Sequence, residues 1–476
     1  MDITIIPQRL YGNVEAISSK SYAHRILIAS ALCKAETEIG INHISKDVEA
    51  TISAIKEMGS QIEKHDYGLR VIPSFNMFEK DNKTTQISQK KLMINARESG
   101  STARMILPLL CALSEDGTLE GEGSLRKRPF LKLCESMEEH GTKFDSYFLP
   151  INYHSKIKSG KYRIVGNESS QYISGLMFAL PLLDGDSEIE ITTELSSKGY
   201  IDMTIEVLRQ FGIEIEKSEN QHISKSKEAS KSVKACKYLD GKPQDRVDRT
   251  SVDSSIDSTS VDSRHSTYST GSVNSTDSTN STDNANCSIL YKVRGNQKYT
   301  SPHKIKVEGD WSNASYWICA GITPMGLNEQ SLQNDRTFKE ICDKKLIDGS
   351  QVIDLIPTLA VYATQKEEET KIYNVGRLKY KESNRIDSIC NMINSLGGEA
   401  QIDGEDSIVI KAKPLTGGIV DSYNDHRIVM AAAVASCYCS EPVTILRAET
   451  VEKSYKNFFE DFIRLGGKVE KIVEDK

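Results

Sequence analysis

The sequence predicts an α/β protein built by duplication, as two domains or as one domain split into two similar halves. A chain of 476 residues is longer than a single hydrophobic core usually supports. The balance of 38% hydrophobic and 27% charged residues excludes fibrous, collagenous and mostly disordered chains. The class itself, α/β or α+β, follows from a recurring element in which an amphipathic helix ends at a glycine and a short alternating strand follows.

The helix-glycine-strand element occurs five times. Helices often stop at glycine because glycine adopts the left-handed conformation without steric cost. One such element is commonplace, whereas five in one chain indicate duplication. We expect a sixth, degenerate copy to end at residues 348–352, around Gly349. The five clear copies lie at residues 54–62, 137–144, 207–215, 392–400 and 462–469, around Gly59, Gly141, Gly212, Gly397 and Gly466.

One segment departs from this pattern. From about residue 251 to 288 the chain is dominated by Ser, Thr, Asp and Asn, and the Ser-rich run at 224–237 is little more apolar. Such a composition cannot bury a core. We therefore expect a disordered low-complexity insertion at about 219–288, between two ordered strands. A tolerated surface insertion is favoured over a regulatory or partner-binding role.

Composition also narrows the class of protein. No stretch approaches the roughly 20 apolar residues of a membrane span, and residues 1–4 lack the features of a signal peptide, so a cytoplasmic protein is expected. The ten cysteines are scattered without a CxxC pair, which predicts reduced, packed thiols rather than zinc ligands or disulfides. A net charge of −7 gives no reason to expect nonspecific nucleic-acid binding.

Six apolar helical runs begin directly after small polar or basic residues. Such a start presents backbone N–H groups and the positive end of the helix dipole to an anion. A lysine or arginine at that position opposes the dipole unless an anion is bound there. Because this arrangement recurs in an acidic protein, we infer that several helix starts face one polyanionic substrate. The starts lie at residues 18–21, 99–102, 169–171, 381–385, 424–427 and 453–454.

These residues are part of a series of motifs that resembles the 5-enolpyruvylshikimate-3-phosphate (EPSP) synthase family along nearly the whole chain. The exceptions are the insertion and residues 75–90. Each motif is weak alone, but all ten occur in family order. They are Ser19-Lys20-Ser21 with Arg25, residues 99–104, Arg128-Pro129, residues 169–171, residues 197–202, residues 307–310, Asp354, residues 381–385, residues 423–427 and Lys453.

The resemblance implies a specific architecture. It implies two similar domains, each of three βαβαββ repeats in an inside-out α/β barrel, with helix N-termini directed toward an active site in the interdomain cleft. The chain would start in one domain, build the other and return, crossing near Lys20 and Glu308. The first domain would then comprise 1–20 plus 308–476, and the second 21–307 with the insertion. Closure of the two domains over substrate would exclude water.

The resemblance further implies the substrates, phosphoenolpyruvate and shikimate 3-phosphate, with no cofactor and no metal. The protein is expected to be a monomer, bound to neither nucleic acid nor membrane. Paired arginine bonds suit the phosphates and carboxylates of both substrates. The implied shikimate-3-phosphate residues are Ser169, Ser170 and Ser197 for the phosphate, Ser21 and Arg25 for the carboxylate, Gln171 along the ring, and Lys381, Lys20 and Asp354. The implied phosphoenolpyruvate residues are Lys20, Gly100, Arg128, Gln171, Arg385, Arg427 and Lys453.

The implied catalytic groups are Asp354, Glu382 and Lys20. Asp354 would take the proton of the 5-hydroxyl, Glu382 would exchange the proton at C3, and Lys20 would be a further proton donor. Nearby cations should keep Asp354 ionised, whereas a proton-donating Glu382 requires an opposing desolvation.

Without the resemblance, several of these residues have ordinary interpretations. Asp354 would be a helix or turn cap, and Arg427 and Lys453 would be solvated surface charges. His426 stays a minor site candidate.

Two departures from the family pattern are Asn384, where aspartate is commoner, and the loop 17–19 before Lys20. Gly100 is retained, which predicts a phosphoenolpyruvate pocket that admits glyphosate.

Two alternatives were weighed. A sister enzyme transfers enolpyruvate to UDP-N-acetylglucosamine, but its reactive cysteine is replaced here by Gly123, five residues before Arg128. A catalytically inactive scaffold is disfavoured by the intact Asp354 and Glu382.

Overall fold

A computed structural model describes residues 1–74, 91–220 and 288–472, which form a mixed α/β fold. The strands are β1 (Asp2–Ile6), β2 (Val14–Glu15), β3 (Thr37–Gly40), β4 (Gln61–His65), β5 (Gly68–Ile72), β6 (Leu92–Asn95), β7 (Asp116–Glu120), β8 (Lys143–Phe144), β9 (Ile151–His154), β10 (Lys161–Ile164), β11 (Ser187–Ile191), β12 (Ile215–Asn220), β13 (Ser288–Val293), β14 (Lys304–Lys306), β15 (Pro324–Met325), β16 (Leu346–Asp348), β17 (Thr370–Tyr373), β18 (Ala400–Asp403), β19 (Ser407–Ile410), β20 (Gly418–Asp421), β21 (Val443–Leu446) and β22 (Lys468–Ile472). The α-helices are α1 (Lys20–Ala31), α2 (Lys46–Glu57), α3 (Gly100–Leu113), α4 (Leu131–Glu138), α5 (Ser170–Ala179), α6 (Lys198–Gln210), α7 (Trp311–Cys319), α8 (Phe338–Ile341), α9 (Ile356–Ala363), α10 (Arg385–Ser395), α11 (His426–Ala435) and α12 (Phe458–Arg464).

Sequence pattern accounts for these elements locally. Strand β11 alternates buried and half-buried residues, as a strand with one covered face does. Helix α3 begins where the Ser99 side chain accepts a hydrogen bond from the backbone N–H of Thr102. Helix α2 begins in the same way, with Ser45 accepting from Val48.

The described residues contain five four-stranded sheets with one common topology. In each sheet the first two strands are parallel and the other two pairings are antiparallel, which is the pairing of a βαβαββ unit. The sheets do not pair with one another, so the described strands form open sheets rather than a closed barrel. A sixth, two-stranded sheet pairs β15 with β2. The strand orders are β20-β21-β1-β22, β10-β11-β13-β12, β14-β3-β5-β4, β16-β17-β19-β18 and β6-β7-β9-β8.

The fold has two halves, each with its own hydrophobic core. The core of the first half uses residues between 22 and 307, and that of the second half uses residues 3–17 and 316–465. The two connecting segments run side by side: Ser18 forms a β-bridge with Gly309. The domain limits at 20 and 308 stay a prediction.

The five helix-glycine-strand elements are confirmed as α2-β4, α4-β8, α6-β12, α10-β18 and α12-β22. All five glycines have positive φ, between 76° and 107°. The sixth copy is wrong. Gly349 follows strand β16 rather than a helix, and a Cβ there would lie 2.5 Å from Cγ1 of Val375. This glycine therefore permits a close approach of the backbone.

The expected insertion lies almost entirely outside the described residues. Strands β12 and β13, which flank it, are antiparallel partners, with Asn220 opposite Ser288. The eight cysteines of the described segments are all free thiols, seven of them buried. Within those segments no helix is long and apolar enough to cross a bilayer.

Candidate active site

A cavity of about 310 Å³ is lined by residues of both halves. Eight helices contribute residues from their N-terminal ends, namely α1, α2, α3, α4, α5, α6, α10 and α11. The prediction that several helix starts face one site is therefore confirmed for five of the six starts.

Fourteen of the fifteen predicted site residues line this cavity. They are Lys20, Ser21, Arg25, Gly100, Arg128, Ser169, Ser170, Gln171, Ser197, Asp354, Lys381, Glu382, Arg385 and Arg427.

Lys453 is the exception. It does not begin a helix, because it is the last residue of a 3-10 helix (Ala448–Lys453) and α12 starts only at Phe458. Its ammonium group pairs with Glu98 and lies 3.3 Å from the carbonyl oxygen of Asn424.

Arg25 is a buried cation with neutral partners. It is 2% exposed, and its guanidinium donates to the hydroxyls of Thr204 and Ser174 and to the carbonyl oxygens of Ser21 and Tyr200. Burial lowers its pKa to about 10. Among the described residues no carboxylate pairs with it, so an anionic ligand in the cavity would meet a charge that is not yet neutralised.

The predicted phosphate serines lie at the starts of α5 and α6. Ser169 caps α5, where its side chain accepts from the N–H of Gln171. The side-chain amide of Gln171 donates to the hydroxyl of Ser101, 2.7 Å away. Ser197 precedes α6 in a left-handed conformation, with φ of 56°. Its hydroxyl caps nothing in the helix but accepts a hydrogen bond from Arg377 at 3.0 Å.

Asp354 lies at the centre of the part of the cavity lining that the second half contributes. One carboxylate oxygen lies 3.3 Å from Arg385 and 3.7 Å from Lys381, and the other lies 3.2 Å from Arg427 and 3.0 Å from the hydroxyl of Tyr200. Burial raises the pKa of Asp354, but these cations lower it by more, so the net pKa lies well below the usual range. Asp354 is ionised, as expected.

Glu382 pairs with two arginines. Its carboxylate lies 2.5 Å from Arg385 and 3.8 Å from Arg128. Burial raises its pKa, yet Arg385 and Arg128 lower it by more, and the net pKa is well below the usual range. The desolvation expected for a proton donor is present, but the cations outweigh it.

Arg385 is saturated by carboxylates. It is 1% exposed and makes a two-pronged contact with Asp425, at 2.8 and 3.1 Å, besides its contacts with Glu382 and Asp354. Asp425 is fully buried and caps α11.

Lys20 and Gly100 lie at the starts of α1 and α3. The Lys20 ammonium lies 2.9 Å from the Asp47 carboxylate. A Cβ on Gly100 would lie 2.8 Å from Arg104 and 3.3 Å from Arg128. The glycine therefore leaves room for two guanidinium groups.

The cavity carries an excess of positive charge although the whole chain has a net charge of −7. Such an imbalance favours a polyanionic ligand. Nine basic side chains line it, Lys20, Arg25, Arg104, Arg128, Lys132, Arg377, Lys381, Arg385 and Arg427, against the carboxylates Asp47, Glu168, Asp354 and Glu382.

The polar lining residues that sequence reasoning missed include Asp47, Arg104, Tyr200 and Arg377. Asp47 carries the signal used for the other helix starts, because it follows the capping Ser45 and Lys46. Arg104 and Tyr200 lie within motifs already recognised but had no role assigned. His426, the minor candidate, lines the cavity, and neither ring nitrogen has a hydrogen-bond partner among the described residues, although Nδ1 lies 3.9 Å from Asp425. Burial lowers its pKa well below the usual range.

Comparisons with known proteins identify the family of the chain. A family model described as EPSP synthase (3-phosphoshikimate 1-carboxyvinyltransferase) matches residues 5–238 and 325–462. The 3-phosphoshikimate 1-carboxyvinyltransferases of Clostridium kluyveri and Clostridioides difficile are 34% and 32% identical, each over 98% of both chains. An EPSP synthase structure from Acinetobacter baumannii superposes with a TM-score of 0.67 at 18% identity, covering 99% of this chain and 100% of that one. The structural likeness supports the fold.

Proposed function

Because the chain belongs to the EPSP synthase family, we propose that its cavity transfers the enolpyruvyl group of phosphoenolpyruvate to the 5-hydroxyl of shikimate 3-phosphate. The enzyme is a transferase of the shikimate pathway, which supplies aromatic amino-acid biosynthesis. The observation that carries the assignment to this cavity is the convergence of eight helix starts and nine basic side chains around two ionised carboxylates. Two substrates that each carry a phosphate and a carboxylate require such a site.

Shikimate 3-phosphate binds against the first half. Its carboxylate pairs with Arg25, beside Ser21, since that guanidinium is buried without an anionic partner. Its phosphate accepts hydrogen bonds from Ser169, Ser170 and Ser197. Gln171, which is fixed by Ser101, lies along the ring.

Phosphoenolpyruvate binds among Lys20, Arg128, Arg385 and Arg427, over Gly100. Arginine forks satisfy its phosphate and carboxylate oxygens in pairs. Lys453 lies outside the cavity lining and forms an ion pair with Glu98. Its proposed contact with phosphoenolpyruvate therefore requires that this ion pair open.

The reaction needs a base and an acid in turn. In the addition step the 5-oxygen bonds to C2 of phosphoenolpyruvate, Asp354 takes the hydroxyl proton, and Glu382 delivers a proton to C3, with Lys20 as a further donor. In the elimination step the bond from C2 to the phosphate oxygen breaks, C3 loses a proton to Glu382, and the proton held by Asp354 passes to the departing phosphate. The surrounding cations stabilise the departing phosphate.

Substrate binding raises the pKa of both carboxylates. The cations that lower the pKa of Asp354 and Glu382 are those assigned to the substrate anions. When a bound anion shares these cations, each carboxylate gains basicity, so that Asp354 can accept a proton and Glu382 can carry one.

The test is phosphate release from phosphoenolpyruvate with either shikimate 3-phosphate or UDP-N-acetylglucosamine as acceptor. We expect release only with shikimate 3-phosphate, and its loss in Asp354→Ala. Release with the nucleotide sugar instead, or with neither acceptor from a folded protein, would contradict the proposal.

We also propose that the enzyme acts as a cytoplasmic monomer, binds neither nucleic acid nor membrane, and has domain limits at residues 20 and 308. The charge excess concentrated in the cavity supports a small anionic ligand rather than an extended polyanion. Light scattering on the purified protein checks the oligomeric state.

A further inference from the structure

Glu98 carries a carboxylate that the mechanism described so far does not use. It lies directly before Ser99, the cap of α3, and two residues before Gly100. Its carboxylate forms an ion pair with Lys453, the lysine proposed to bind phosphoenolpyruvate. Among the residues that the structure describes, no other carboxylate forms an ion pair with Lys453. Glu98 is therefore the anion that neutralises this lysine.

The ion pair joins the two halves of the fold beside the cavity. Glu98 belongs to the first half and Lys453 to the second. Burial raises the pKa of Asp47, which lines the cavity, and the charges of Lys20 and Lys453 oppose that rise. The ammonium group of Lys453 is thus close enough to the cavity for its charge to act on a lining carboxylate.

The loop before Arg128 leaves room for the Glu98 side chain. A Cβ on Gly123 would overlap the Glu98 carboxylate, so a residue with a side chain at this position would displace it. The side chain of Glu98 is 38% exposed, whereas that of Lys453 is 15% exposed. The carboxylate can therefore turn into solvent when another anion replaces it, while the lysine stays largely buried.

Lys453 has one charge to share between anions. Its ammonium group donates to the carbonyl oxygen of Asn424 at 3.3 Å, and Glu98 supplies the opposing charge. A phosphate or carboxylate of phosphoenolpyruvate bound to Lys453 would bring a second anion next to Glu98. Because like charges repel at such short distances, the bound substrate and the ion pair exclude each other.

We propose that Glu98 is an internal competitor of phosphoenolpyruvate for Lys453, and that this ion pair limits the affinity of the enzyme for that substrate. This inference rests on the proposed function. It makes Glu98 a residue that sets substrate affinity by occupying a cation rather than by contacting the substrate.

A neighbouring ion pair supplies a matched control. Glu452 directly precedes Lys453 and pairs with Lys46 of α2 at 2.7 Å, so this pair also joins the two halves. Neither Lys46 nor Glu452 lines the cavity. Glu452→Gln therefore removes the same charge from the same region without freeing Lys453.

The experiment measures phosphate release by Glu98→Gln at saturating shikimate 3-phosphate over a range of phosphoenolpyruvate concentrations. KM for phosphoenolpyruvate should fall by about two- to fivefold, the effect of a partly exposed ion pair. The value of kcat should not change, because the freed lysine serves bound substrate and transition state alike. Affinity for shikimate 3-phosphate, measured by calorimetry, should also stay the same.

Two further variants identify the cause of the lower KM. Glu452→Gln should keep the KM of the unsubstituted enzyme. In a Lys453→Gln background, Glu98→Gln should leave KM for phosphoenolpyruvate unchanged, because the lysine for which the two anions compete is gone.

Three results would overturn the inference. One is an unchanged or raised KM in Glu98→Gln, since a raised value would show that Glu98 holds Lys453 in place for the substrate. The others are an equal fall in Glu452→Gln and a fall that persists without Lys453.

Calorimetric titration with phosphoenolpyruvate alone requires no turnover and should show the same two- to fivefold gain in affinity for Glu98→Gln. Absence of phosphate release by the unsubstituted enzyme with both substrates would contradict the proposed function. That titration would still decide whether Glu98 competes, and an unchanged affinity there would count against it.

Discussion

Arg25 and Arg385 are both buried arginines of the same cavity, yet their surroundings are opposite. Arg25 is held by two hydroxyls and two carbonyl oxygens, and burial lowers its pKa to about 10. Arg385 is held by Asp425, Glu382 and Asp354. Burial lowers the pKa of Arg385, but Asp425 and Glu382 raise it by more. Among the described residues Arg25 therefore has no carboxylate partner, whereas Arg385 has three.

The difference between the two arginines matches the proposed roles of the two halves in binding and catalysis. On the first half, an uncompensated cation gives binding energy directly to shikimate 3-phosphate. On the second half, phosphoenolpyruvate must share cations with Asp354 and Glu382, the groups proposed to move protons. Binding of the second substrate is thereby coupled to the basicity of the catalytic carboxylates.

The largest expected effect comes from removing the shared carboxylate of the second half. Asp354→Asn keeps the shape and an acceptor for Tyr200 but removes the proposed base, so phosphate release should fall by roughly 10²- to 10⁴-fold. Steady-state turnover checks this, with the exposed Asp403→Asn as control. Turnover within a few-fold of normal would remove Asp354 from the mechanism.

The two arginines should differ in their effect on stability. Arg385→Gln leaves the fully buried Asp425 without its cation, which should lower the free energy of unfolding by about 3–5 kcal/mol. Arg25→Gln should cost much less, because Ser174 and Thr204 remain bonded to each other. Denaturant titration measures the free energy of unfolding of both variants. Equal losses would show that the two arginines contribute alike to stability.

Gly100→Ala tests how tightly the side chains pack around Gly100 in the cavity. The new methyl group would lie 2.8 Å from Arg104 and 3.3 Å from Arg128, so both guanidinium groups must shift. We expect KM for phosphoenolpyruvate to rise on the order of 10- to 100-fold while shikimate-3-phosphate affinity is kept. Glyphosate inhibition should weaken in parallel. Unsubstituted enzyme that resists high glyphosate at low phosphoenolpyruvate would contradict the prediction that Gly100 admits this inhibitor.

The smallest expected effect is a pH dependence at Lys381. Burial, with help from Arg385, lowers its pKa to about 8, against the opposing Asp354. Because a bound phosphate requires the cation, affinity for shikimate 3-phosphate should be full below pH 8. It should then fall by up to about tenfold per pH unit above that value. The substrate's own phosphate, with a second pKa of about 6, is already a dianion there. Calorimetry from pH 7 to 10 should show the decline in the unsubstituted enzyme and not in Lys381→Arg.

Much of the fold could be predicted from local signals. The five glycines after helices mark conformations that other residues avoid, so the repeated unit is visible without any knowledge of pairing. Gly349 misled the same reasoning because a glycine required for backbone approach is indistinguishable, in sequence, from one that ends a helix. The structure separates the two cases, because Gly349 follows strand β16 and packs against Val375, whereas the other five glycines follow helices and have positive φ.

The site was predicted where motifs follow helix starts and was missed where residues act through tertiary contacts. Ser169 and Arg427 are recognisable from their neighbours in the chain. Arg377 is not, because its relation to Ser197 joins residues 180 positions apart. Lys453 shows the converse, since a motif does not reveal that Glu98 holds its side chain.

The pairing of Asn220 with Ser288 has a consequence for how this chain tolerates length. The sheet holds the two ends of the intervening 67 residues, Gln221–Cys287, next to each other. For a flexible connection, each doubling of length costs only about 0.6 kcal/mol of closure entropy. Evolution can thus lengthen or shorten the chain at this point while selection on the distant cavity continues unaltered.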